Sequence, residues 1–248
     1  MADGAPAGIC DGVTMNLVLL PGMDGTGALF EPFVKHLPAD IRARVVAYPR
    51  HEQLGYDALI DRVVHALPRD GQPFVVLGES FSGPVAIAVA ARSKPVALIL
   101  ACSFVSNPRP ALAPLRPWLA QLPLPRRLLV GPLALALMGK HATPVLRQAL
   151  SGALLSVEPA VLRHRAQAVL GVNVESAFAA LRCPVLDLRA SDDRVVPRSC
   201  ARDVQRLQPG ATTTFVEGPH FLLQTQPAAA AAAVDAFLRR AAQRLPEG

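Results

Sequence analysis

Charged residues are scarce in this sequence: Asp, Glu, Lys and Arg make up 18% of its 248 residues, below the average of about 25% for soluble domains. Apolar residues make up 51% of the chain, which is enough to bury a sizeable core. This balance excludes an intrinsically disordered protein. The length suits one large α/β domain.

Long apolar runs are also missing. The longest candidate covers residues 128–139 and is closed by Arg126, Arg127 and Lys140, whereas a membrane-spanning helix needs about 20 apolar residues. We therefore expect no transmembrane segment and interpret this run as a buried or interfacial one. Residues 1–10 lack a basic cluster before an apolar run, so they do not resemble a secretory signal.

Cysteine is rare and scattered. The four cysteines contain no CxxC pair, which argues against a zinc site and against a disulfide framework. We expect reduced thiols in a cytoplasmic protein. Zinc-finger spacings and basic-aromatic RNA motifs are missing too, so nucleic-acid binding is a poor explanation for the net charge of +6.

Short apolar runs alternate with helical patterns along most of the chain, which predicts a mostly parallel sheet with helices on both faces. From about residue 104 the alternation stops, and a Pro-, Leu- and Arg-rich insertion of two or more helices is expected. The predicted strands are residues 16–20, 44–47, 74–77, 96–100, 185–188 and 212–216. The predicted core helices are residues 29–37, 56–67, 83–92, 197–207 and 228–240.

The strongest motif is GESFSG, residues 78–83, between a predicted strand and a predicted helix. A Ser on a sharp strand-to-helix turn is held in a strained backbone conformation with its hydroxyl exposed. Small residues two before and two after it let strand and helix approach closely; here they are Gly78 and Ser82, where the usual GxSxG pattern has a second Gly. Ser80 is the candidate nucleophile, and an ordinary Gly-containing turn is the alternative.

A nucleophilic Ser needs a base. His220 follows the predicted strand 212–216, so it is expected at the same sheet edge as the Ser turn, unlike the other histidines of the chain. The base needs a carboxylate that fixes its tautomer and stabilises the imidazolium. The loop after strand 185–188 offers Asp192 and Asp193, and from their position either could serve.

Acyl chemistry at a Ser also needs two backbone N–H donors that hold an oxyanion. Phe81, which follows the nucleophile, is expected to supply one. Met23, in the Gly-rich turn after the first predicted strand, is the candidate for the other. Asp24 would place a carboxylate close to this oxyanion hole, either facing solvent or hydrogen-bonded within its own turn.

Four motifs in order resemble the α/β-hydrolase superfamily over about residues 16–240: LLPGMDGTG resembles its oxyanion turn, GESFSG its nucleophile turn, DRVVP its acid loop and GPHFLLQ its His loop. The resemblance implies an α/β-hydrolase fold and a triad of Ser80, Asp193 and His220, and it favours Asp193 over Asp192. The chemistry it implies needs no metal and no organic cofactor.

The sequence departs from the family pattern in two places. Pro21-Gly22 stands where His-Gly is commoner, and the family's N-terminal antiparallel strands look missing or reduced to residues 9–13. In such enzymes an insertion at the place seen here forms a cap over the active site and sets the choice of substrate. We therefore divide the chain into a core, residues 1–103 and 172–248, and a cap segment, residues 104–171.

The cap segment is apolar and basic together. Eight basic residues and one acidic residue give it a net charge of +7, against +6 for the whole chain. Its apolar side chains favour an acyl chain, and its arginines favour an anionic partner such as an acyl carrier protein, coenzyme A or an anionic lipid. The candidate substrate-binding residues of this segment are Trp118, Leu122, Leu133 and Leu137.

The segment is similar to the cap of the pimeloyl-acyl-carrier-protein methyl esterase, in which cap arginines are thought to contact the acidic carrier. Arg outnumbers Lys by 22 to 3 along the whole chain, so surface arginines that merely solubilise the protein are the alternative.

Three functions fit these expectations. The leading hypothesis is hydrolysis of a carboxylic ester or thioester with an apolar acyl group through an acyl-serine intermediate. The same acyl-enzyme intercepted by an alcohol or amine would make the protein an acyltransferase. A non-catalytic protein that binds lipid or acyl carrier is the third, and the complete triad argues against it.

Overall fold

In the part of the chain that the structure describes, six parallel strands form one sheet in the order β2-β1-β3-β4-β5-β6. The computed structural model describes residues 14–68, 72–115, 117 and 126–243. The strands are β1 (Met15–Leu20), β2 (Ile41–Val45), β3 (Phe74–Glu79), β4 (Ala97–Ala101), β5 (Val185–Ala190) and β6 (Thr212–Val216).

Helices connect successive strands and lie on both faces of the sheet. They are α1 (Glu31–Val34), α2 (Tyr56–Ala66), α3 (Gly83–Ser93), α4 (Arg126–Met138), α5 (Pro144–Leu155), α6 (Pro159–Val169), α7 (Glu175–Ala179), α8 (Ser199–Leu207), α9 (Leu222–Thr225) and α10 (Pro227–Ala242). Short 3-10 turns occur at Ala28–Phe30, Ser80–Ser82, Pro110–Leu115 and Gly139–His141.

The sheet is buried on both faces because successive side chains of a strand point to opposite sides. In β1, Leu17 and Leu19 join the core that α1, α9 and α10 cover. Val18 and Leu20 join the opposite core, which α2, α3, α7 and α8 cover. All four side chains are fully buried. The continuous apolar run of this strand is thus explained, and the predicted fold class is confirmed.

Two predicted elements of the core are displaced. The strand expected at residues 44–47 begins earlier, because β2 is an edge strand whose exposed Arg42 and Arg44 interrupt its apolar pattern. The helix expected at residues 29–37 is only a 3-10 turn followed by the single turn α1. Residues 35–37 continue α1 as hydrogen-bonded turns, and Pro38 disfavours a helical conformation at Leu37, so the pattern goes no further.

The cap segment leaves the sheet after β4 and returns before α7. An antiparallel bridge between Ser106 and Asn173 joins its two ends, and the Asn107 side chain donates a hydrogen bond to the Leu170 carbonyl at 3.0 Å. The helices α4, α5 and α6 lie between these ends, in agreement with the expected helical insertion. That residues 104–171 form a separate cap domain stays a prediction.

Among the described residues, no individual helix has the length and apolarity needed to cross a membrane. The neighbouring helices α5 and α6 satisfy that requirement only when taken together, and they are bent by 97° at their junction. The short strand expected at residues 9–13 lies outside the described residues.

Gly78 is the position at which β3 and α3 approach most tightly. A Cβ atom added there would lie 2.6 Å from the Ser82 carbonyl oxygen and 2.7 Å from the Ala86 Cβ. We expect Gly78→Ala to lower the free energy of unfolding by about 1–3 kcal/mol, because backbone has to move. Urea denaturation followed by far-UV circular dichroism measures the change.

The matched control is Gly152→Ala in α5, where an added Cβ meets no described atom within 4 Å. Because Ala favours helix interiors over Gly, this variant should be more stable than wild type by about 0.5–1 kcal/mol. Equal denaturation midpoints for the two variants would contradict the close approach at Gly78.

Candidate active site

The backbone of Ser80 is in the left-handed region, with φ of 48°. Non-glycine residues occupy this region at a cost of about 1–3 kcal/mol, and only where the surroundings fix them. Here β3 ends at Glu79 and α3 begins at Gly83, so three residues make the whole turn. The Ser103 hydroxyl donates a hydrogen bond to the Ser80 carbonyl at 2.5 Å and supports the turn from β4. The strained turn expected from the motif is therefore present.

Ser80, His220 and Asp193 form one chain of hydrogen bonds. Ser80 Oγ lies 2.9 Å from His220 Nε2, and His220 Nδ1 lies 2.8 Å from Asp193 Oδ2. An ionised carboxylate only accepts, so Nδ1 carries the ring proton and Nε2 accepts from the Ser80 hydroxyl. The three predicted catalytic side chains are thus brought together in the order that nucleophilic catalysis requires.

Asp193 is held as a carboxylate. Its second oxygen, Oδ1, accepts hydrogen bonds from the Val195 and Val196 amides, both at 2.8 Å. Burial acts to raise the pKa of Asp193, but the hydrogen bond and charge of His220, with the two amides, hold it below its ordinary value. The neighbouring Asp192 is exposed. The geometry therefore favours Asp193, as the motif did.

The His loop is tied to the cap segment. Gly218 makes the turn after β6 with φ of 156°, and His220 itself is buried. The amide of the next residue, Phe221, donates a hydrogen bond to the Leu137 carbonyl in α4 at 2.9 Å. The position of the imidazole thus depends on a cap helix as well as on the sheet.

The turn after β1 is closed on itself. The Gly25 amide donates to the Gly22 carbonyl at 3.0 Å, and Gly25 takes φ of 70°. The Asp24 carboxylate accepts from the Thr26 amide at 2.8 Å and from the Thr26 hydroxyl at 2.5 Å. Of the two alternatives for this buried carboxylate, hydrogen bonding within its own turn is the correct one.

Ser82 explains the departure from the GxSxG pattern. Its hydroxyl donates a short hydrogen bond to the Pro21 carbonyl and accepts one from the Tyr48 hydroxyl at 2.7 Å. A Gly at this position would lose this link between the nucleophile turn and the turn after β1. The Phe81 ring stacks on Tyr56, with 5.0 Å between ring centroids, so the ring is part of the core.

A cavity of about 300 Å³ opens onto Ser80 and His220. Two of the predicted cap residues, Leu133 and Leu137, line it; the other two, Trp118 and Leu122, lie outside the described residues. Met23, the proposed oxyanion donor, also lines the cavity and is 37% exposed. The remaining apolar lining comes from Leu29, Leu150, Leu154, Leu162, Ala166, Val195 and Phe221.

Sequence reasoning missed Glu79, a buried carboxyl group in the wall of this cavity. Gln224 Nε2 donates to Glu79 Oε1 at 2.9 Å. Burial is the main reason that the pKa of Glu79 rises to about 7. The available signal was an acidic residue at the end of a strand that is otherwise apolar.

Among the described residues, one group of side chains is close enough to share a metal ion: the ligand atoms of Cys102, Asp193 and His220 lie within 4.8 Å of one another. Asp193 and His220 already pair with each other. Burial raises the pKa of the Cys102 thiol well above its ordinary value, and a protonated thiol is a poor metal ligand. These residues therefore fit a hydrogen-bonded chain better than a metal site.

Comparison with known proteins supports the same fold and extends over most of the chain. Residues 17–234 match the profile of the Alpha/beta hydrolase family. The chain belongs to this family. The enol-lactonase from Burkholderia xenovorans LB400 has a similar structure, with a TM-score of 0.78 over 93% of this chain and 94% of that one, at 15% sequence identity.

Two curated relatives match shorter segments. "Putative carbamate hydrolase RutD" of Caulobacter sp. (strain K31) is 40% identical over 81 residues, 32% of this chain and 30% of that protein. "Phytyl ester synthase 1, chloroplastic" of Arabidopsis thaliana is 34% identical over 117 residues, 43% of this chain and 16% of that protein. The matched segments therefore span less than a third of either relative.

Glu79 should make stability depend on pH. Its pKa is about 7 in the folded protein against an ordinary 4.5, so the folded state keeps a proton that the unfolded state releases. The free energy of unfolding should therefore fall between about pH 4.5 and about pH 7, by on the order of 3 kcal/mol. Glu79→Gln cannot ionise, so this variant should lack that fall.

Urea denaturation at a series of pH values tests this expectation. Wild type and Glu79→Gln should be similar near about pH 5, and the variant should be more stable near about pH 8. Glu217→Gln makes the same chemical change at an exposed position and serves as the control. Parallel stability curves for wild type and Glu79→Gln would contradict the protonated state of Glu79.

Proposed function

We propose that the protein is a serine hydrolase that cleaves a carboxylic ester or thioester with an apolar acyl group. The observation that carries this proposal is the hydrogen-bonded chain Ser80–His220–Asp193. An apolar cavity opens onto Ser80 and His220. A free hydroxyl is a weak nucleophile, and an adjacent base within hydrogen-bond distance is what activates it.

In the proposed reaction Ser80 Oγ attacks the substrate carbonyl carbon while His220 Nε2 takes the hydroxyl proton. Asp193 stabilises the imidazolium that forms. The Met23 and Phe81 amides donate to the oxyanion of the tetrahedral intermediate. This intermediate collapses to an acyl-serine as His220 returns the proton to the leaving alcohol or thiol. Water then attacks the acyl-serine with His220 as base, releasing the acid and Ser80.

The proposed substrate class follows from the cavity and from membership of the family. A cavity lined by leucines and a phenylalanine accommodates an aliphatic chain better than a charged group. The names of the similar proteins, an enol-lactonase and a phytyl ester synthase, refer to reactions at ester carbonyls. These names support ester chemistry for this chain as well.

Acyl transfer is the second candidate. The relative named phytyl ester synthase makes an ester rather than hydrolysing one, and the acyl-serine would be the same in both reactions. Product analysis in the presence of a long-chain alcohol separates the two: an ester product favours transfer, and free acid alone favours hydrolysis.

We also propose a cytoplasmic location and an anionic partner for the cap segment. Three cysteines in the described part of the chain are free thiols, which supports a reducing compartment. The net charge of the cap segment supports an acyl carrier protein or an anionic lipid surface. Binding of the protein to an acyl carrier protein or to anionic vesicles that weakens steeply with added salt would support the anionic partner.

The first test is a comparison of wild type with Ser80→Ala on p-nitrophenyl esters of increasing acyl length. Wild type should be active, with an optimum acyl length that reports the size of the cavity, and the variant should lose several orders of magnitude in kcat. Wild type without activity, and without labelling by an organophosphonate, would instead support the non-catalytic alternative.

The two neighbouring aspartates provide a matched pair. Asp193→Asn should reduce kcat by about 10⁴-fold, because the imidazole loses the partner that fixes its tautomer. Asp192→Asn, at an exposed position one residue earlier, should retain wild-type kcat within about twofold. Equal losses in both variants would contradict the assignment of Asp193.

A further inference from the structure

One arginine of the basic cap segment lies in the interior. Arg165, on α6, is 1% exposed, and its guanidinium reaches across to the core. Nη1 donates to the Met23 carbonyl at 2.9 Å and to the Asp24 carbonyl at 2.8 Å. Nη2 donates to the Pro49 carbonyl at 2.8 Å. For this residue both expectations, a charged rim and a solubilising surface side chain, are wrong.

The oxyanion turn is shaped around this guanidinium. A Cβ atom added at Gly25 would lie 2.4 Å from Arg165 Nη1, and Gly25 takes φ of 70°, so a side chain there would displace the guanidinium and strain the backbone. The guanidinium carbon also lies 5.6 Å from the centre of the Tyr48 ring. The Tyr48 amide in turn donates to the Gly25 carbonyl at 2.7 Å.

The cost of this arrangement indicates a role beyond packing. A buried guanidinium is expensive unless its N–H groups are satisfied, and a Met of similar size would fill the space without that cost. Arg supplies donors in a rigid planar fork: here Nη1 binds two successive carbonyls of one turn, and Nη2 binds the Pro49 carbonyl. Burial lowers the pKa of the Arg165 guanidinium. The charge of the buried Asp24 acts in the opposite direction and limits this decrease.

We propose that Arg165 is a positioning residue for the oxyanion hole: by binding the Met23 and Asp24 carbonyls, it orients the turn that presents the Met23 amide to the substrate at Ser80. The inference rests on the proposed function, because it gives Met23 the role of oxyanion donor. It adds that transition-state stabilisation depends on the cap helix α6 being seated on the core.

The experiment compares Arg165→Met, Arg165→Lys and wild type on a p-nitrophenyl ester, with far-UV circular dichroism as the check of folding. A displaced donor matters in the transition state more than in the bound substrate. Complete removal of a donor costs about 10²–10³ in kcat, so we expect Arg165→Met to lose about 10–100-fold in kcat. KM should change by less than about threefold.

Lys retains the charge but lacks the fork, so Arg165→Lys should recover part of the lost kcat. Arg163→Met makes the same change two residues earlier on α6, at a partly exposed position, and should leave kcat and KM unchanged. A merely structural role for Arg165 predicts a lower melting temperature with wild-type kcat in the folded fraction.

Three results would overturn the inference: wild-type kcat in folded Arg165→Met, a loss confined to KM, or, if the Met variant does not fold, wild-type kcat in Arg165→Lys. The rate of labelling by an organophosphonate is the second readout, because its adduct with Ser80 also places an oxygen in the oxyanion hole. Active wild type with unaffected Arg165 variants rejects only this inference. Wild type that neither turns over nor is labelled rejects the proposed function and the inference with it.

Discussion

The left-handed backbone of Ser80 is the constraint on which the site depends. Ser103, which follows β4, binds the turn directly, and β5 supports Ser103 in turn. Arg189 of β5 donates to the Ser103 carbonyl at 2.7 Å, and the Ser103 hydroxyl donates to the Ser80 carbonyl. Arg189 is itself held by an ion pair with Asp187, 2.7 Å between Nε and Oδ1. Desolvation offsets much of the Coulombic attraction in a buried ion pair, so this pair is weak evidence for a gain in net stability.

Polar groups inside the protein are concentrated around the same edge of the sheet. The buried side chains of Asp24, Glu79, Arg165, Arg189 and Gln224 lie in or beside the turns that carry Ser80 and Met23. Most of the remaining interior is apolar. Their hydrogen bonds connect the turns at this edge to one another and to the neighbouring strands.

Local patterns were sufficient to predict the fold class and to place Ser80, His220 and the Asp192–Asp193 pair at one edge of the sheet, whereas the choice of Asp193 came from the family resemblance. Parallel strands carry their C-terminal ends to one edge, so Ser80, Asp193 and His220 had to lie near one another. The contacts of Arg165 and Glu79 could not be predicted, because each joins segments far apart in the chain. The spacing of apolar residues along α6 does not predict which face of this helix contacts the turn after β1. The predicted bounds of the edge strand β2 were wrong because the arginines on its exposed face interrupt the apolar pattern.

Several hydrogen bonds join the cap segment to the core, and they include those that hold the His220 loop and the turn after β1. Phe221, next to the imidazole, is bound to α4, and the Met23 turn is bound to α6. Moving α4 and α6 away from the sheet as a rigid body would break these hydrogen bonds and release the His220 loop and the turn after β1 together. The geometry around Ser80 is therefore shared between the sheet and the helices α4 and α6.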